Sequence, residues 1–266
     1  MFRSLLISWF VLLLPLLSDA QDIFSVISVE GNVTFKNTGS VVKSGSVIPQ
    51  NAMLVFKGKT SYLAVFNAER GLFKVSEKNS AQFAGNHRSL QPLKTQDEAG
   101  RNTINSFPDL KNHFKGDYLL FDNNYIRISP SLFYVKEGNF YYISYAYKTE
   151  SVNKKLNYAD SILTIDKTEL LSIEGKPIVN PDIADMQLMF YETDNKIITT
   201  PISSFKPVFP DTEILKKEAE IIFKELEKKP FSQKVDAVLT YFNLFYGRTH
   251  YETVEQWLIY KAGLKD

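Results

Sequence analysis

The hydrophobic period of this chain changes once, near Asp211. Upstream, apolar residues sit in short alternating runs broken by turn residues. Downstream, they recur every three to four positions. A period of two marks strands with one buried face, and a period of 3.6 marks amphipathic helices. The chain therefore reads as mainly β with a helical C-terminal end. No family of long helices and no uniform repeat is needed to account for it.

The first β segment spans residues 21–84. Val26, Ile27 and Val29 lead through Gly31 to Val33 and Phe35. Asn37-Thr38-Gly39-Ser40 and Lys43-Ser44-Gly45-Ser46 read as turns. Leu54, Phe56, Tyr62, Ala64 and Phe66, then Phe73 and Val75, continue the alternation. Strands this short, at this spacing, predict a small twisted all-β unit. Val29-Glu30-Gly31-Asn32-Val33, Val42 through Ile48, Ser61 through Phe66 and Gly71 through Ser76 follow the order of features in FecR-type periplasmic domains. Residues 26–83 thus resemble that family, the envelope sensors paired with sigma factors. The resemblance implies an envelope-side β module used for protein contacts. The family places an anti-sigma segment and a spanning helix before this domain. Here a signal-like segment stands there instead, so sigma-factor signalling is not implied.

Residues 85–116 lose the pattern. Gly85-Asn86-His87-Arg88-Ser89 and Thr95 through Asn102 are polar and turn-rich, which predicts an interdomain linker. Phe107 through Phe114 could fold as one helical turn that docks back. Residues 117–209 resume short strands, with Tyr118, Leu120, Tyr125, Ile126, Ile128, Phe133 and Val135 in the first runs. Phe140–Tyr147 is the strongest, with apolar or aromatic residues on both faces, and Lys148 through Ser151 reads as a hairpin turn. Ile162–Ile165, Met186–Tyr191 and Ile197–Ile202 complete about seven strands, the count and spacing of an Ig-like β-sandwich.

Residues 210–266 are helical. Leu215, Ala219, Ile222 and Leu226 share one face, while Lys216, Lys217, Glu218, Glu220, Lys224, Glu225 and Glu227 read as a solvated face of alternating sign. Asp211 or Thr212 starts this helix and Pro230 ends it. A second stripe is Val235, Val238, Leu239, Phe242 and Phe245, with Ser232 as a cap and Gly247 as the stop. Thr249 through Glu252 has capping-box spacing before a third helix that turns Val254, Trp257 and Leu258 inward. These faces need burial, either on one another or on the sandwich.

Arg3, an apolar run from Leu5 to Leu17 and Ser18-Asp19-Ala20 have the order of a secretory signal peptide, predicting cleavage after Ala20. The run is shorter than the roughly twenty residues of a spanning helix. No later stretch is longer, so no stable membrane span is expected after cleavage. The chain contains no cysteine, which removes disulfides, thiolate zinc sites and thiol nucleophiles. Exported and free of cysteine, it fits a bacterial periplasm or exterior. Lys+Arg 31 against Asp+Glu 30 gives a net charge of +1, no field to hold nucleic acid.

Chemistry is sparsely signalled. The three histidines, His87, His113 and His250, lack metal-ligand spacing. No nucleotide loop and no nucleophile-elbow motif occur, so no metal, cofactor or catalytic residue is expected. Asp160, Asp166, Glu169, Asp182 and Asp185 among the sandwich connections could supply paired carboxylates for glycoside hydrolysis, though such residues also serve as turn and helix-start groups. Tyr141, Tyr145, Tyr147 and Lys148 could form a binding surface, or else belong to a central strand packed on both sides. The aromatic cluster Phe242, Phe245, Tyr246, Tyr251 and Trp257 is either a docking face or helical core. The expectation is an exported, non-enzymatic envelope protein that binds another envelope protein or a glycan. The alternatives are a periplasmic hydrolase using paired carboxylates and a structural subunit of a surface assembly.

Overall fold

A computed structural model describes residues 22–85, 91–94, 102–178, 182–193 and 196–265. The signal-like segment 1–20 and His87 lie outside the described residues. The described chain is mainly β, with several sheets and a few helices.

Strands β1 (Ile23–Phe35), β2 (Val47–Pro49), β3 (Leu54–Asn67) and β4 (Gly71–Ser76) form an antiparallel sheet ordered β2-β1-β3-β4. The β1–β3 register shifts between Val26 and Ser28 and again between Glu30 and Asn32. Such bulges bend and twist long strands. Gly31 lies at the second shift with φ +72°, and a Cβ there would collide with Ser61 Oγ. Glycine is what lets the two backbones meet at the bend. One face of the sheet buries Phe24, Val26, Leu63, Val65 and Phe73, closed by Phe83 of α1 (Ser80–Gly85). The other buries Ile27, Ala64, Phe66 and Leu72.

Next come α2 (Phe107–His113), β5 (Gly116–Leu119), β6 (Asn123–Arg127), β7 (Phe140–Tyr147), β8 (Glu150–Lys155), β9 (Asn157–Ala159) and β10 (Ile162–Asp166). They are followed by α3 (Lys167–Leu170), the small hairpin β11 (Ser172–Ile173) and β12 (Lys176–Pro177), then β13 (Met186–Glu192) and β14 (Ile198–Val208). A sheet ordered β5-β14-β13-β7-β8 packs on a sheet ordered β6-β10-β9. The β14–β5 pair is parallel, and the other pairs in these two sheets are antiparallel. Ile126, Leu163 and Ile165 from the small sheet meet Tyr141, Ile143, Leu188 and Phe190 from the large one.

Residues 102–116 are part of this unit rather than a free linker. Ile104, Leu110 and Phe114 are buried in the sandwich core, and Ile104 N–H donates to Arg127 O at 2.9 Å. These apolar residues are too sparse to show a period, yet each is anchored. Ser106 caps α2, its Oγ accepting from Asp109 N–H at 3.2 Å.

The C-terminal helices are α4 (Thr212–Glu225), α5 (Phe231–Phe245) and α6 (Tyr251–Trp257), the last running into a π-helical turn, Leu258–Ala262. Asp211 caps α4. Pro230, not Ser232, precedes α5, and the capping box before α6 is not formed, His250 being the N-cap without a side-chain bond. The predicted stripes are buried, except that Phe245 is only partly covered. They pack on both β units, α4 on β1 and β3 of the first sheet and α6 on β6 of the sandwich. Ile27, Ala64, Phe66 and Leu72 of the first sheet complete this core, and Leu119 and Phe121 join from the end of β5. The helices therefore bind the two β units together. Gly247 permits a strap: with φ +147° it lies where a Cβ would meet the Asp117 backbone at 2.9 Å. Arg248 then pairs with β5, Leu119 N–H donating to Arg248 O and Arg248 N–H to Asp117 O, each at 2.8 Å. Among the described residues, no helix is long and apolar enough to cross a membrane.

Candidate functional site

Strand β7 is aromatic on both faces, and its pairing decides which rings reach solvent. Tyr141, Ile143 and Tyr145 point into the sandwich, with Tyr141 1% and Tyr145 4% exposed. The Tyr141 ring packs near Phe133, Tyr158 and Phe190. Tyr145 OH donates to Leu170 O at 2.5 Å, and burial pushes its pKa up to about 12. Tyr147 is half-buried against the same core. Lys148 is exposed at the hairpin tip with φ 55°, its Nζ 5.4 Å from the Tyr147 ring centroid. The surface expected from Tyr141, Tyr145, Tyr147 and Lys148 is thus not a surface. Three of the four are core or core-edge residues, because the alternation places odd-numbered β7 side chains inward.

The even-numbered side chains build the outer face. Phe140 lies opposite Tyr191 on β13, and Tyr142 opposite Met189 on β13 and Lys155 on β8. Thr199 and Pro201 of β14 extend these two rows past Tyr191 and Met189. The next row is Ser204, Gln187, Ser144 and Asn153. Phe140 and Tyr191 have ring centroids 5.0 Å apart at 30°, and Phe140 meets Tyr142 edge-on at 6.3 Å. Lys155 Nζ stands 4.7 Å from the Phe140 centroid. A cleft of about 390 Å³ lies over Phe140, Tyr142, Tyr191 and Lys155, edged by Asn153 and Thr199. Phe140, Tyr142 and Tyr191 are half-exposed and belong to none of the three apolar cores. Opposed aromatics give cross-strand pairing energy in any sheet, but left uncovered they also form a contact surface.

The candidate carboxylates are arranged as local structure. Asp166 caps α3, accepting from Thr168 and Glu169 N–H at 2.8 and 3.1 Å. Asp160 occupies a turn with φ 52°. Asp166 and Glu169 border a cleft of about 520 Å³ beside Lys154, which Asp160, Asp182 and Asp185 do not line. Among the described residues, no group of three or more His, Asp or Glu could hold a metal ion. The aromatics of α5 and α6 are core: Phe242 and Trp257 meet Phe121.

Two buried polar clusters escaped the sequence. Glu218, placed on the solvated face of α4 by its neighbours' charges, is 4% exposed and accepts from Tyr246 OH at 2.7 Å. Burial raises its pKa to about 7, against hydrogen bonds from Tyr246 and Tyr241 that lower it. Tyr241 OH donates to Ser28 Oγ at 2.9 Å, joining this cluster to β1. In the second cluster His113 Nε2 lies 3.1 Å from Tyr118 OH, and His250 Nδ1 lies 2.5 Å from Glu252. Arg127 Nε donates to Glu252 Oε1 at 2.6 Å. Burial raises the Glu252 pKa, but His250 and Arg127 more than offset it and hold it at about 2.

In comparisons with known proteins, no family model, no curated protein and no solved structure matches the chain.

Proposed function

We propose that this is an exported, non-enzymatic binding protein of a bacterial cell envelope, periplasmic or secreted, that holds an envelope protein or glycan on the outer face of its sandwich. The uncovered aromatic rows carry the proposal: Phe140, Tyr142 and Tyr191 lie side by side, half-exposed, on a face that no core uses. A sheet serving only as scaffold would place polar residues there. The order β6-β10-β9 against β14-β13-β7-β8 supports an Ig-like assignment, matching strands B-E-D and G-F-C-C′ of variable-type domains. In that assignment the β6–β7 and β13–β14 connections form one end of the domain. Exposed Tyr134 and Ile197 on those connections would extend the contact surface. For residues 26–83 a FecR-like module remains the proposed identity, supported by its β content and its Gly31 bend. The segment ending at Ala20 supports export.

Photo-crosslinking in the native envelope tests this. A crosslinking residue at Thr199 should capture envelope material, protein or polysaccharide, while one at exposed Lys217 on α4 should not. Equal capture at both positions, or none at Thr199, contradicts the proposal.

A further inference from the structure

The charge on the outer face narrows the ligand. The outward positions of β7, β8, β13 and β14 on this face are Phe140, Tyr142 and Ser144, then Asn153 and Lys155, Gln187, Met189 and Tyr191, and Thr199 and Pro201, with Met189 buried among its neighbours. None is a carboxylate. Lys155 is the sole charge among these positions, and it makes no ion pair among the described residues. Its ammonium is held over the Phe140 ring instead. An ammonium over a ring keeps its net charge, and although Lys155 also borders the neighbouring cleft of Asp166 and Glu169, it is free to meet an anion at the aromatic cleft. Lys155 roofs Phe140, leaving the half-exposed rings of Tyr142 and Tyr191 as the aromatic groups available at the cleft. The cleft is edged by an uncharged amide and hydroxyl, Asn153 and Thr199, and Ser144 and Gln187 follow in the next row. The cleft, about 390 Å³, is within the ~300–1,000 Å³ of small-ligand sites.

We infer that the outer face binds a carbohydrate chain bearing a carboxylate. Pyranose C–H faces stack on Tyr142 and Tyr191, amide and hydroxyl side chains meet the sugar hydroxyls, and Lys155 takes the carboxylate. A protein hot spot of this size would be expected to draw on a fully desolvated anchor pocket, whereas this face is shallow and rimmed by uncharged polar groups. The inference rests on the proposal that this face is a binding surface, and it adds the ligand class.

The test uses the mature chain and defined hexasaccharides, with NMR or calorimetry as the readout. Oligogalacturonate, oligoalginate and hyaluronan hexamers serve as acidic probes, and cellohexaose and chitohexaose as neutral ones. At least one acidic probe should bind more tightly than every neutral one, with shifts confined to the outer face. Lys155→Gln should weaken that probe by about three- to fivefold, as removal of an exposed charge pair does, and should remove most of its advantage over the neutral probes. Tyr191→Thr should weaken every probe by about tenfold or more, with thermal unfolding checking that the fold is retained. Three results overturn the inference: no probe shifts the face, acidic and neutral probes bind alike, or Lys155→Gln has no effect. If no probe binds while Thr199 still crosslinks to a protein, the sugar assignment fails and the binding surface stands. If Thr199 captures nothing either, both fail.

Discussion

The imidazole of His113, at the end of α2, lies edge-on to that of His250, which precedes α6, with 5.3 Å between ring centroids and 75° between planes. Through Tyr118, Glu252 and Arg127 this pair ties together α2, β5, β6 and α6. Burial foremost, and then the electrostatic influence of His250 and Arg248, hold the His113 pKa well below the ordinary 6.5. The unfolded chain therefore binds a proton near pH 6 that the folded chain does not, and stability falls as pH falls below about 6.5. Because Glu218 titrates in the opposite sense over the same range, the readout is the difference between proteins: relative to wild type, His113→Gln should gain in denaturant midpoint as pH falls from 7.5 to 5.5. An unchanged slope in the variant would contradict the assignment.

Glu218 titrates in the opposite sense. Its folded pKa, about 7, is above the 4.5 of an exposed glutamate. Its stabilising protonation is fully present below 4.5 and is lost as pH rises to about 7. The burden at pH 8 is on the order of 3 kcal/mol. Glu218→Gln keeps a hydrogen-bond acceptor without the charge, so it should gain stability relative to the wild type at pH 8 and little at pH 4.5. Comparing urea midpoints of the two proteins at these two pH values checks the sign.

Tyr141 and Tyr142 are neighbours on opposite faces of β7, and their substitutions should separate cleanly. Tyr141→Ala opens a cavity among Phe133, Tyr158 and Phe190 and should cost about 3–5 kcal/mol. Tyr142→Thr keeps strand propensity on a half-exposed face and should stay within about 1 kcal/mol. Equal costs in calorimetric unfolding would mean that the outer face is covered.

Gly247→Ala should break the strap on β5. Its φ of +147° and the approach of Asp117 at 2.9 Å leave no room for a methyl group, and the expected cost is about 1–3 kcal/mol. Gly39→Ala has positive φ but nothing within 4 Å, so it isolates the backbone preference from the collision. The Gly247 variant should unfold at a clearly lower denaturant concentration than the Gly39 variant.

The β-to-helix switch near Asp211 was legible because period reports which face is buried: Leu215, Ala219, Ile222 and Leu226 form a stripe and are core. What covers such a stripe is not written in it. The helical core closes on Ile27, Ala64, Phe66 and Leu72, well over a hundred positions upstream, and α6 packs on β6. Residues 102–116 read as linker, apart from the docking helical turn expected at Phe107 through Phe114 and found there, because Ile104, Leu110 and Phe114 are isolated apolar anchors without a period. On β7 the strand and its aromatic character were readable, but its facing was not. Both parities are apolar there, so only pairing with Met186, Leu188 and Phe190 settles that Tyr145, Ile143 and Tyr141 go inward. Tyr191 and Lys155 join Phe140 and Tyr142 through register, which a single strand does not encode. Glu218 was misplaced because its charge pattern matched a solvated face, while Tyr246 waited to bond it.

If the proposed function holds, the outer aromatic face carries envelope material. Cosedimentation of the mature chain with envelopes from its own cells tests this most directly, comparing wild type with the Tyr142→Thr/Tyr191→Thr double variant at matched folding. Wild type should pellet with the envelopes while the double variant stays in the supernatant. Equal pelleting of the two would contradict the proposal.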